Sequence, residues 1–234
     1  MLTLEMIKNN PDFHLMISRS QEYLAARGYT EHGFRHVNYV SRYTAYILEQ
    51  LNFDQRTVEL GAIAGYLHDI GNMFNRKHHG ISGANIVFTE LRRMNIPLDE
   101  ITTITTAIAN HEVETGYAVS PITAALIIAD KSDAHRTRVH RRNISDIHDR
   151  VNMAIIDTKI KVDDHLKNID LCLEYDSTIS QVMDFFEIYL YRMAMCKKAA
   201  AFLGCRFRLF INDLELLGHV DYNQVAVSAD HKLE

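Results

Sequence analysis

The 234-residue chain is long enough to bury a full core, and its 47% hydrophobic and 24% charged shares are those of an ordinary globular protein. A net charge of −5 argues against wholesale electrostatic binding to nucleic acid. Cys172, Cys196 and Cys205 form no disulfide or zinc-finger pattern, no apolar run approaches the ~20 residues of a membrane span, and the N-terminus lacks the order of a signal peptide. A cytoplasmic protein is expected. Thirteen histidines is a high number for this length, and three prolines suit a mostly helical chain.

Periodicity predicts a first helix over Pro11–Arg27, with Phe13, Met16, Ile17, Ser20 and Leu24 near helical spacing and Gly28 as its stop. A second runs from Thr30, read as its cap, to about Leu51, with His36, Val40, Tyr43 and Ile47 on one stripe. The third, about Gln55–Ile70, carries adjacent His68 and Asp69 in its last turn, and Gly71 stops it. A polar loop, Gly71–Gly80, holds Arg76, Lys77, His78 and His79. Helices are predicted at about Ser82–Met94, ended by Pro97, and at Asp99–Asn110, which leads into His111 and Glu112. Pro121 opens a long helix to Arg142 that carries Asp130.

After about Asn143 the pattern changes. Asn152–Ile160 and Asn168–Tyr175 read as strands joined through polar Lys161–Lys167. Ile179–Leu203 is a periodic helix closed by Gly204, and Phe207–Leu217 is strand-like with a turn at Asn212-Asp213. The expected fold is mainly α: an all-helical bundle (residues 1–145), a small α+β unit of ββαβ or ββαββ order (146–218) and a loosely structured tail (219–234). Residues 150–217 show no convergent polar set. That unit reads as a module for dimerisation, cleft closure or ligand sensing.

The chemistry gathers on the helical part. A His beside an Asp at the inner end of a buried helix is costly unless both groups have partners, and a divalent transition metal supplies one. His36, His79, His111 and Asp130 are further metal-competent residues beside apolar stripes. No local spacing links them, so from the residues alone they stay separate candidates. Each His has an ordinary hydrogen-bonded alternative, and Asp130 has basic neighbours in Lys131 and Arg136. The basic run His135–Arg142 has two readings. It is a solvated helix end favoured by the dipole, or it brings Arg136 or Arg138 to a substrate phosphate.

The order His36…His68-Asp69…Asp130 resembles the H…HD…D signature of the HD-domain metal-dependent phosphohydrolase superfamily. LHDIG resembles its central string. HGISGA from His79, Asn110-His111-Glu112 and the string Ala129–Ala134 (ADKSDA) are similar to the HPxxGA, HHE and ADxxDA segments of its HD-GYP and related branches. The resemblance covers about residues 30–142. It implies two divalent transition-metal ions (Mn, Fe, Co, Ni or Zn). His36, His68, Asp69 and Asp130 would hold one, Asp69, His79 and His111 the other, and His32, one turn before His36, is a further ligand or a neighbour behind the ligands. It further implies hydrolysis of a phosphomonoester or phosphodiester of nucleotide type by a metal-activated hydroxide. Asp69, His68 and Lys131 are then the catalytic candidates, and Arg136, Arg138, Lys77 and Asn72 the phosphate-binding ones.

Two departures bear on this. The glycine-tyrosine-proline string is absent, so cleavage of cyclic-di-GMP is not implied, and Asn72 stands where a lysine is usual. The expected partner is a small phosphorylated substrate, with a short single strand left open, no membrane, and a homodimer through the C-terminal module as one option. A non-catalytic signalling or scaffold module, and a di-iron oxygenase on the same scaffold, are the alternatives.

Overall fold

The computed structural model describes residues 1–113, 116–139, 143 and 145–218. Short polar caps start the first helices. Thr3 accepts from the Met6 N–H to open α1 (Leu4–Lys8), and Asn10 accepts from Asp12 and Phe13 to open α2 (Pro11–Ala26), with proline in its first turn. α3 (Phe34–Gln50) comes next, then α4 (Gln55–Leu67), capped by Asp54. A 3-10 turn at Ile70–Met73 leads to α5 (His79–Arg93), α6 (Leu98–Ala109) and α7 (Pro121–Lys131), the last capped by Ser120.

The C-terminal part begins with α8 (Ile147–Ala154), which runs directly into β1 (Ile155–Asp163). β1 pairs antiparallel with β2 (Asn168–Tyr175); α9 (Val182–Phe202) then crosses over to β3 (Arg206–Ile211), parallel to β2, and β4 (Leu214–Leu217) returns antiparallel. Asn212 and Asp213, at φ 49° and 66°, make the two-residue turn between β3 and β4. The architecture is a helical bundle with a ββαββ unit after it, mainly α as expected.

Two packing contacts bring the helix ends together. α3 and α4 cross so closely that a Cβ at Gly65 would lie 2.8 Å from Ser41 Cα, which brings the start of α3 beside the end of α4. α7 is buried along nearly its whole length, from Ile122 to Ala129, and α9 packs against it. Buried apolar residues from Leu2 to Ile211 form one continuous cluster, so the sheet and the bundle share a core.

Several boundaries differ from the sequence reading. α3 starts at Phe34 behind Gly33, and Thr30 caps nothing; its carbonyl instead accepts from His32 Nδ1. α4 ends at Leu67, leaving His68 and Asp69 in the turn beyond it. The helix expected to reach Arg142 stops at Lys131, because Asp133 turns inward to Arg35 and His36; among the described residues of that span a 3-10 turn, Arg136–Arg138, lies beyond. His140, Arg141 and Arg142, from the basic run, lie outside the described residues, as does the 219–234 tail. α1 and α8, of five and eight residues, are too short to show a period, and α8 takes Asn152–Ala154 from the expected first strand.

Candidate metal centre

Five elements deliver six side chains to one point. His36 comes from the first turn of α3, His68 and Asp69 from the end of α4, His79 from the start of α5, His111 from just after α6 and Asp130 from the last turn of α7. A Cβ at Gly71 would collide with the backbone of His79, so this glycine lets α5 close over the end of α4. The three histidines 36, 68 and 111 are fully buried, while the Asp130 carboxylate keeps 12% exposure and marks the side on which the cluster opens.

The outward ring nitrogens are all anchored. Nδ1 of His68 donates to Gly65 O (2.9 Å), His111 to Ile108 O (2.6 Å), His79 to Arg76 O (2.8 Å) and His36 to Asp133 Oδ2 (2.6 Å). These partners only accept, so each Nδ1 carries a proton and Nε2 is the nitrogen turned inward. The inward nitrogens then meet head to head: His36 and His68 at 3.2 Å, His79 and His111 at 3.1 Å. Two lone pairs at that distance need a cation or a proton between them.

Asp69 divides its oxygens between the pairs. Oδ2 is 3.6 Å from Nε2 of both His36 and His68, and Oδ1 is 3.1 Å from His79 and 3.8 Å from His111. Oδ2 is buried and has no hydrogen-bond partner among the described residues. Asp130 Oδ1 completes the first group, 3.4 Å from His36 and 3.7 Å from His68. His68 stands at the seam, since its ligand atom also lies within 4.8 Å of those of Asp69 and His111. Imidazole and carboxylate in this mixture suit a divalent transition metal, and the partnerless anionic Oδ2 is an atom such a cation would satisfy.

Electrostatics favour the same state. Burial raises the Asp69 carboxyl, but His68 and the imidazoles of His111 and His79 outweigh it and hold it well below the carboxylate range. Asp130 is likewise held low against burial, chiefly by the Lys131 ammonium and then by His36 and His68. Burial pushes His111 down to about 4. His79 goes the other way: burial lowers it, yet Asp69 and Glu112 carry it up to about 9. In the metal-free protein a proton on His79 therefore fills the gap beside Asp69 Oδ1.

Residues 33–137 match the HD domain family. Those residues form an HD domain. HD domains bind divalent metals. Among solved structures, a crystal structure of a predicted HD superfamily hydrolase from an uncultured Thermotogales bacterium is similar at 22% identity, covering 58% of this chain and 75% of that chain with a TM-score of 0.40. No curated relative matches the sequence.

The HD domain brings His36, His68, Asp69, His79, His111 and Asp130 together and leaves His32 aside. The His32 Nε2 accepts from Arg138 Nη2 (3.1 Å), and burial, then Arg138, keep the ring neutral. Arg138 is spent as well: Nε and Nη2 donate to Glu31 O and Nη1 to Asp133 O, so it fastens the chain after α7 to the segment before α3 and offers no free fork to a phosphate. Asn72 is buried, with Nδ2 2.8 Å from Asp69 Oδ1, and holds that carboxylate. Arg136 is exposed and lines no part of the cavity that opens at Asp130.

That cavity, about 400 Å³, is lined by Asp130, Lys131, Tyr29, Arg76, Arg27 and Arg192 among others. Lys77 lines a second hollow of about 360 Å³ that touches His79 and shares Arg76 and Lys131. Sequence reasoning missed the supports. Asp133, held ionised against burial by Arg138 and by His36, accepts from His36 Nδ1 and pairs with Arg35 at 2.5 Å; Glu112, held at about 2 by His79 against burial, backs His79. Both stand in the strings ADKSDA and NHE, which was their only signal. Arg192 had none, because its helix reads as core.

Proposed function

We propose that this HD-domain protein is a hydrolase of phosphoester bonds, cleaving a phosphomonoester or phosphodiester of a small, nucleotide-type substrate with two divalent transition-metal ions. The observation that carries the reading is the division of Asp69: one buried oxygen toward His36, His68 and Asp130, the other toward His79 and His111. His36, His68, Asp69 and Asp130 would hold one ion, and Asp69, His79 and His111 the other. When bound, such ions supply Lewis acidity toward phosphoryl oxygens and lower the pKa of water.

The chain's own residues do the rest. Lys131, its Nζ 2.5 Å from Asp130 Oδ2, sets a cation on the cleft wall beside the metal position, where it meets phosphoryl charge. Arg76, 3.8 Å from Asp69 Oδ1, and Lys77 supply cations on the side of His79. These cations take over the lysine function that Asn72 lacks. The test is a screen of p-nitrophenyl phosphate, its bis-ester and nucleotides after loading with Mn, Fe, Co, Ni or Zn. Turnover that Asp69→Ala abolishes supports the reading. A metal-loaded protein that cleaves no phosphoester contradicts it and favours the non-catalytic module.

A further inference from the structure

The C-terminal unit reaches the cleft. α9 lies along α7, and Arg192 on its third turn lines the same cavity as Asp130 and Lys131. Among the described residues its guanidinium meets neither a carboxylate nor another hydrogen-bond acceptor; its Cζ sits 4.6 Å from the centre of the Tyr189 ring. Arg27, just past α2, is in the same condition, its Cζ 5.7 Å from the Tyr29 ring.

The other charges of this cavity are committed. Arg138 is spent on backbone carbonyls and His32, Arg76 donates to Asn72 Oδ1, and Lys131 pairs with Asp130. Asp146 accepts from the His148 and Asp149 N–H groups, and Asp149 from the N–H of Asn143. Two guanidinium forks without anions, in one cavity of an acidic chain, await an anion. Neither belongs to the metal cluster, and a volume of about 400 Å³ admits a whole small ligand beyond one phosphoryl group.

We propose that Arg192 and Arg27 form a second anion subsite, which holds a phosphate group other than the one cleaved. The preferred substrate then carries two separate phosphates, and the C-terminal unit is the wall that selects it. Only the words "the one cleaved" rest on the hydrolase reading; the subsite itself does not.

Calorimetric titration of the metal-loaded protein with adenosine 3′,5′-bisphosphate and with adenosine 5′-monophosphate tests the subsite, and chromatography after each titration shows whether ligand was cleaved. The bisphosphate should bind roughly tenfold tighter or better, and Arg192→Ala should remove most of that preference. Arg27→Ala should act the same way. Arg192→Lys, which keeps a cation but not the fork, should fall between wild type and Arg192→Ala. Lys198→Ala, which removes a charge from α9 away from the cleft, should leave the preference intact. Equal binding of the two ligands by the wild type, or a preference that survives in Arg192→Ala, overturns the subsite. Cleavage in the chromatogram bears separately on the hydrolase reading: a preference without cleavage keeps the subsite and counts against hydrolysis, and cleavage without preference does the reverse.

Discussion

Asp69 links the two imidazole pairs because each of its oxygens faces only one of them, and His79 is the residue whose proton competes for that link. A pKa carried up to about 9 means that folded, metal-free protein holds the His79 proton more tightly than an unfolded chain, whose histidines titrate near 6.5. That stabilisation is fully present below 6.5 and is lost as pH rises through about 9. A metal must displace the same proton. Metal uptake near neutral pH should therefore release protons, and affinity at the His79 position should climb with pH until about 9. Titrating metal into weakly buffered protein reads this directly, and uptake with no acidification would contradict it. Asp133→Asn removes the charge that faces His36, Arg35 and Arg138. It should destabilise the fold by about 3 kcal/mol in urea denaturation and weaken metal binding at least tenfold, because the cations around it lose their buried partner.

At the scale of elements, the site depends on how closely α3 and α4 cross. Gly65→Ala places a methyl 2.8 Å from Ser41 Cα, so the helices must part. A loss of about 1–3 kcal/mol is expected in thermal unfolding, with weaker metal binding because His36 and His68 separate. Wild-type stability in that variant would show that the crossing has slack. The same scale explains what the sequence disclosed. α2 and α7 announce themselves through the stripe from Phe13 to Leu24 and through Pro121, which are local signals. The end of α7 does not, because the run from Ser132 to Arg142 contains no glycine or proline; the helix stops for Asp133, a demand set by residues about a hundred positions away. Likewise, the six clustered His and Asp residues were visible in order along the chain. That Arg138 and His32 satisfy each other was not, since nothing local pairs them.

For the whole molecule, the sheet unit is part of the site's support. α9 covers α7 on the stretch that ends at Asp130, and Tyr189 of α9 donates to Asn152 of α8, so the unit holds the cleft wall from behind. A chain ending at residue 145 should lose cooperative unfolding and expose apolar surface to a reporter dye, because α7 would lie uncovered. A sharp, wild-type-like transition would show that the bundle stands alone. The role of Arg192 belongs to this scale too, and the periodic pattern hid it: an arginine among Met193, Tyr189 and Cys196 reads as a helix edge until α7 is placed beside it.

The central claim is that Asp69 joins two metal positions. Elemental analysis of protein purified without chelators, beside Asp69→Ala of matched helical content, tests it most directly. About two transition-metal equivalents in the wild type, both lost in the variant, are predicted. Metal fully retained in Asp69→Ala, or none in the wild type after reconstitution with Mn or Fe, would contradict it.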